Sequence, residues 1–309
     1  MNMTHSSHFL RLGRTCFILL LPAMLWSMAA SAQVTLYVGQ QFGGGPVSTY
    51  DATTGAVINA NFITGLSNMH SLLVSGNTLY VSDWGTHTVK TYDAITGAAI
   101  NTTFVTGLFA PYGFAVLGNM LYVTDKSNQS ISRYNATTGA VINAPFITGL
   151  HGPNRLLISG NDLFVTNDYS GNVSRYNVNT GAAININFIT QLVSPVGLAV
   201  WNDNLFVSDY GSNTIGKYNL ATGAAINATY LTGLTRPEDL AVSGNDLFIG
   251  NDDLGHVAKY DLTTGVAIND YFIVGLLHPA NITIAAPEPC SAALALLGGL
   301  ALLGRRRVL

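Results

Sequence analysis

Residues 92–97 read Tyr-Asp-Ala-Ile-Thr-Gly, and 42 residues further on, residues 134–139 read Tyr-Asn-Ala-Thr-Thr-Gly. The phrase Tyr-(Asp/Asn)-x-x-Thr-Gly opens at Tyr50, Tyr92, Tyr134, Tyr176, Tyr218 and Tyr260, six times without a slip in spacing. A fixed period of this length marks a repeat architecture, in which each unit buries its apolar face only against its neighbours. Working outward from Thr96-Gly97, one repeat divides into four short apolar or alternating stretches, 72–74, 78–82, 88–92 and 98–105, separated by turn residues such as Ser75-Gly76-Asn77. Nothing between 33 and 286 carries the apolar periodicity of a helix. Four short strands per repeat is the pattern of a β-propeller blade.

The ends of the repeat region predict how the ring closes. Leu36-Tyr37-Val38 matches the second-strand sequence Leu79-Tyr80-Val81 after a one-residue insertion near Gly43-Gly44-Gly45. At the other end, Pro279 to Ile284 matches the first-strand sequence Pro237 to Val242. The last strand therefore completes the blade that the first three strands began, and residues 34–285 make six times 42. The expectation is an all-β, six-bladed propeller of four-stranded blades, with both termini in one blade and no open edge at the seam.

Both flanks read as addresses. Residues 1–32 have the form of a secretion signal: Arg11 and Arg14, an apolar run, then Ala30-Ser31-Ala32 for cleavage. Residues 287–309 begin Pro287-Glu288-Pro289, continue apolar to Gly304 and end Arg305-Arg306-Arg307. This tail resembles the PEP-CTERM sorting signal of exported bacterial proteins. The resemblance implies a precursor held in the inner membrane by a short transmembrane helix, an exosortase-type processing enzyme as partner, and a destination at the cell surface or in an exopolysaccharide matrix. The 33–286 core has no cysteine, and eight basic against fifteen acidic residues. That balance argues against nucleic acid and anionic lipid as partners.

Columns that repeat in every blade are read as fold. The tyrosines are expected to bury their rings between sheets. Gly55, Gly97, Gly139, Gly181, Gly223 and Gly265 are expected to supply a turn, and the asparagines that follow Ile58, Ile100, Ile142, Ile184, Ile226 and Ile268 to bond an irregular strand. Asp83, Asp125, Asn167, Asp209 and Asn251 form a column read as turn-stabilising, since Asn replaces Asp freely. Arg133, Arg175, Lys217 and Lys259, on separate blades, are read as a solvated face. The whole core resembles NHL-type propellers and, more distantly, the gluconolactonase-like family. The resemblance rests on Pro-x-x-(Leu/Phe)-(Ala/Leu)-(Val/Ile) followed by Leu-(Tyr/Phe)-Val-x-Asp, as in Pro195 to Asp209.

Columns that vary are where chemistry is expected. Ahead of the innermost strand stand His70, Tyr112, Asn154, Val196, Glu238 and Ala280, each followed by Ser71, Gly113, Arg155, Gly197, Asp239 or Asn281. The loop after the second strand adds Trp84, Lys126, Asp168, Tyr169, Tyr210, Asp252 and Asp253. These groups are expected to converge on one mouth of the central channel, with His70, Tyr112, Asn154, Arg155, Glu238, Asp239, Trp84 and Tyr210 as candidate ligand-binding residues. The leading expectation is a non-catalytic binding module for a glycan or protein ligand, without a cofactor. The alternative, implied by the gluconolactonase-like resemblance, is a secreted lactonase-like hydrolase with a channel Ca²⁺ held by Glu238, Asn154 and Asp209.

Overall fold

The computed structural model describes residues 33–285 except Phe42. The signal at 1–32 and the sorting tail at 287–309 lie outside the described residues. Among the described residues, no helix is long and apolar enough to cross a membrane. The chain forms six four-stranded antiparallel sheets, the blades of a propeller. Five blades follow chain order; in the sixth, Asn281–Ala285 pairs with Thr35–Gly39, in register from Thr35↔Ala285 to Gly39↔Asn281. The blade holding that pair is called blade 1 here, and the others follow in sequence.

In blade 2 the strands are Met69–Ser75, Thr78–Asp83, Thr88–Asp93 and Ala99–Val105. The innermost strand starts three residues earlier than the apolar run suggests. A register shift between Met69 and Ser71 breaks the alternation there, and it places His70 on the strand's channel end.

Each apolar cluster lies across a seam between two blades. Tyr37, Val47, Ile63 and Leu66 of blade 1 pack on Met69, Leu72, Leu79, Val81 and Tyr92 of blade 2. The closing seam is built alike, Leu36, Val38, Tyr50 and Ile282 meeting Phe248, Val257 and Ile273. Five of the six periodic tyrosines are buried there, and Tyr260 is half-buried, bonded to Asp270 at 2.6 Å. Gly97 follows with φ +74, and a Cβ there would stand 2.3 Å from the carbonyl oxygen of Phe62 in the preceding blade. The Thr-Gly turn thus needs glycine for its backbone and for close approach of the next sheet.

Every seam also carries a polar tie, and the donor differs. Tyr37, Tyr80 and Tyr122 donate their hydroxyls to the carbonyls of Ala94, Ala136 and Val178 in the next blade at 2.5, 2.6 and 3.0 Å. In the last three blades phenylalanine takes that place, as Phe164, Phe206 and Phe248, and other side chains donate. Arg175 reaches Ala221 O at 2.8 Å, Tyr230 reaches Leu262 O at 2.9 Å, and Lys259 reaches Ala52 O at 3.2 Å. A buried carbonyl without a partner costs about 1–3 kcal/mol, which favours a donor at each seam. The seam between blades 3 and 4 carries a second, Arg133, which reaches Asn179 O at 3.0 Å.

This corrects the reading of the third-strand cations as a solvated face. Arg133 lies 4.3 Å over the ring of Phe146, Lys217 5.0 Å over Tyr230 and Lys259 5.0 Å over Phe272. Arg175 pairs with Asp162 at 2.6 Å and Lys259 with Asp246 at 2.8 Å. They are seam residues that lie over aromatic rings, and Arg133, Arg175 and Lys259 also find acceptors. The asparagine column behaves as expected: Asn101 Oδ1 accepts the N–H of Thr103 at 2.9 Å beside a register shift in the outermost strand.

Candidate functional site at the channel mouth

Three columns meet at one end of the channel. The inner ring is His70, Tyr112, Asn154, Val196 and Glu238, with Ala280 completing it in blade 1. The outer ring is Gln41, Trp84, Lys126, Asp168, Tyr210 and Asp252. The column two residues before the inner ring contributes Asn68, Ser194, Arg236 and His278, and all these groups except Ala280 line one cavity of about 450 Å³. One backbone bond per blade sets this arrangement. The amides of Gln41, Trp84, Lys126, Asp168, Tyr210 and Asp252 donate to the carbonyls of His278, Asn68, Ala110, Gly152, Ser194 and Arg236.

Second-strand hydroxyls pin the inner ring from the neighbouring blade. Thr124 donates to Asn154 O at 3.0 Å, Thr166 to Val196 O at 2.9 Å and Ser208 to Glu238 O at 2.6 Å. Gly113 and Gly197 are required beside them, since a Cβ would fall 2.2 Å from Asn154 O and 2.4 Å from Glu238 O.

The sequence placed Arg155 and Asp239 at the mouth; the structure sets them one residue deeper, as a floor. Arg155 of blade 4 spans the channel. Its Nη2 donates to Asn281 Oδ1 at 2.5 Å and Ala280 O at 3.3 Å, its Nη1 to Asn154 Oδ1 at 3.1 Å, and its Nε stands 3.4 Å from Asp239 Oδ1. Asp239 also accepts the amides of Leu240 and Ile282 at 3.1 and 3.3 Å. Beyond this layer lies a separate space of about 330 Å³, where Ser71, Arg155, Asp239 and Thr283 stand among apolar residues such as Leu73, Val116, Ile158 and Val242. The mouth is a blind cup.

Around the cup most charges are already matched. Lys126 pairs with Asp168 at 2.7 Å and lies 4.7 Å over the ring of Tyr112. Arg236 pairs with Asp253 at 2.9 Å, and His278 donates to Asp252 at 2.8 Å. His70 contacts the Gln41 amide and stacks on Tyr112 at 4.3 Å. Burial, then the charges of Arg155 and Lys126, push the His70 imidazole down to about 3, so it is neutral. Burial raises Tyr112 and Tyr210 to about 12, Glu238 adding to the rise in both. Glu238 is half-buried at the cup, and loss of solvent there pushes its carboxyl up to about 8. Arg155 and Lys126 oppose the rise, and Asp252 and Asp239 add to it. Two cup residues hold left-handed backbone without being glycine, Arg236 at φ 47 and His278 at φ 48. Such strain concentrates at functional sites.

Of the expected metal ligands, Glu238 and Asn154 line the cup and Asp209 does not. Asp209 lies buried behind the wall, where its two oxygens accept the amides of Val193 and Ser194 at 2.9 and 2.8 Å. Asp83 and Asp125 do the same for Ser67 and Asn68, and for Phe109 and Ala110. The column therefore ties the loop leading into the innermost strand, rather than chiefly the turn after the second strand. Among the described residues, no group of three or more His, Cys, Asp or Glu side chains is placed to hold a metal ion.

Gln41, Asn68, Ser194, Arg236 and His278 escaped the sequence reading as cup residues. The signal was present: their columns vary from blade to blade as the inner ring does. Gln41 is obscured by the one-residue insertion in blade 1, and the other four stand two residues ahead of the inner-ring column.

The fold and cup define a six-bladed β-propeller with a closed-bottomed mouth. No protein-family model matches the chain, and no curated protein matches it. Among solved structures it is similar to a propeller in the crystal structure of a nidogen/laminin complex, with TM-score 0.67 and 19% identity over 82% of this chain and 99% of that one. It is also similar to the computationally designed Ika8 protein, with TM-score 0.48 and 16% identity over 76% of this chain and 73% of that one. At these identities the likeness concerns the fold.

Proposed function

We propose that this chain is an exported binding module, associated with the cell surface or its matrix, that receives a ligand in the mouth cup and performs no catalysis. The observation that carries this reading is the blind cup, in which three columns that vary from blade to blade converge while the turn and seam columns of each blade repeat. A rigid ring of pinned strands presents these groups without needing to reorganise, which favours binding. The propeller of the nidogen/laminin complex comes from a structure of two proteins bound together. That supports reading such a disc as an interaction scaffold.

Export, exosortase-type processing and inner-membrane retention of the precursor rest on residues 1–32 and 287–309. Mass spectrometry of the mature chain tests them, the expected product starting at Gln33. For the cup, a pulldown from the organism's own extracellular matrix is expected to recover a ligand with the parent chain and to lose it with Tyr112→Ala. Equal recovery by both, or none by either, counts against the reading. The metal-dependent hydrolase is disfavoured because Asp209 is committed to backbone amides. Glu238 is left without the remaining ligands such a site needs.

A further inference from the structure

We infer that the cup takes the end of an uncharged, hydroxyl-rich chain, a neutral glycan terminus, and that Glu238 meets its hydroxyls. This rests on the reading of the cup as a ligand site and adds the class of ligand.

The first argument is charge. Lys126, Arg236, His278 and Arg155 each already face a carboxylate within the protein. A charged ligand would have to displace one of these partners or enter unpaired, and a desolvated unpaired charge is costly. A neutral ligand meets no such barrier.

The second argument is the one acidic group left over. Among the described residues, the Glu238 carboxyl makes no hydrogen bond and lines the cup. Its enclosure keeps it protonated at neutral pH. A protonated carboxyl both donates and accepts, which is the complement of a hydroxyl. On the same inner ring, the Asn154 Oδ1 is used by Arg155, which orients the amide so that its NH₂ group remains to donate.

The third argument is shape. Trp84 stands open at the rim, 40% exposed, as an apolar platform beside polar groups. Such pairing of an aromatic face with a few fixed polar atoms suits a sugar ring, which has both kinds of surface. The Arg155 floor stops a chain from threading through, so only an end can enter.

The groups facing Glu238 are Asp252, Asp239, Arg155, Lys126, Tyr112 and Tyr210. A ligand that bonds the protonated carboxyl binds fully below that group's pKa and weakens as pH rises through it. A cationic ligand would show the reverse slope.

The test is calorimetry of the full-length chain against neutral glucan and mannan hexasaccharides, hexagalacturonate and a glucosamine hexamer, at pH 6 and pH 9.5. The expected result is one site per chain for a neutral member, weakened about tenfold or more at pH 9.5. Glu238→Gln is expected to keep affinity within about threefold with no pH dependence over this range, and Glu238→Leu to lose about tenfold or more at pH 6. Preferred binding of the glucosamine hexamer that strengthens with pH, or of hexagalacturonate, overturns the inference but leaves the cup a binding site. Neutral binding untouched by Glu238→Leu overturns the role of Glu238. Failure of every sugar overturns the inference outright, and the matrix pulldown with Tyr112→Ala then decides separately whether the cup binds anything.

Discussion

The seams and the mouth of this propeller obey opposite rules. At the seams six blades solve one problem six times, packing a tyrosine (buried in five, half-buried at Tyr260) and closing a Thr-Gly turn, and where one donor is absent another reaches a carbonyl nearby. At the mouth six blades place six different side chains on the same backbone position, from His70 to Glu238. The seam must satisfy burial and hydrogen bonding everywhere, so its chemistry is interchangeable provided the need is met. The mouth faces solvent, and the fold does not prescribe what stands there. In a repeat protein, variation within a fixed frame is therefore the better guide to where function sits.

The sharpest way to break this comparison is at the floor, where a mouth column becomes structural. Arg155→Ala leaves Asp239 buried without its cation, and a stability loss of about 3–5 kcal/mol is expected in denaturant unfolding. The double variant Arg155→Met with Asp239→Leu should recover part of it, because the stranded charge is gone. A loss below about 1 kcal/mol would mean that the floor is solvated and the cup open. Tyr134→Ala, at 4% exposure in its seam, should cost about 3–5 kcal/mol. The same change at half-buried Tyr260 should cost less, so equal losses would contradict the seam assignment.

Much of the fold was legible in the chain because a period of 42 survives every local irregularity. The split blade followed from the matching of 36–38 with 79–81, and the pairing Thr35↔Ala285 bears it out. What could not be read was depth. His70 and Ser71, or Asn154 and Arg155, are sequence neighbours, but alternation on a strand puts one in the cup and the next in the floor. The register shift at the strand's start hid that alternation. The cations of the third strand looked solvated because sequence alone does not reveal that Phe146 and Phe272 lie beneath them.

The inner ring should also make stability depend on pH in a way the seams do not. Glu238 has a folded value of about 8 against an ordinary 4.5, so the native state holds a proton that the unfolded chain releases. Stability linked to Glu238 is therefore present at low pH and lost as pH rises from about 4.5 to about 8. Glu238→Gln removes that loss and should exceed the parent by roughly 2–4 kcal/mol at pH 9, the gap closing toward pH 4.5. His70, held near 3 against an ordinary 6.5, acts at the other end, with stability lost as pH falls from 6.5 toward 3. His70→Gln should flatten that limb. Parallel pH curves for parent and Glu238→Gln would refute the enclosed carboxyl.

A smaller effect tests the interchangeability of seam donors. Tyr80→Phe deletes the hydroxyl that reaches Ala136 O and leaves that carbonyl unpartnered, at an expected cost of about 1–2 kcal/mol. In blades 5 and 6 Tyr230 and Lys259 reach that same carbonyl, whereas in blade 4 Arg175 reaches the next one, Ala221 O, and blade 2 has Thr91 where blade 6 has Lys259. Tyr80→Phe combined with Thr91→Lys should therefore lose less than Tyr80→Phe alone. No recovery would mean that the donors are not equivalent.

The smallest expected effect probes a large apolar column that repeats without being buried. Ile58, Ile100, Ile142, Ile184, Ile226 and Ile268 stand on the outermost strands, between 41 and 59% exposed. Repetition alone would class them with the seam tyrosines, but exposure gives them little packing to lose. Their β-branched shape suits an edge strand that the following asparagine bends, a preference worth tenths of a kcal/mol rather than several. Ile184→Thr keeps the branch while removing apolar surface, and a stability change within about 0.5 kcal/mol is expected by chemical denaturation. A loss above about 1.5 kcal/mol would place a neighbour against the rim. The rule that invariance within the ring signals buried structure would then extend to the edge, instead of ending where the outermost strand meets water.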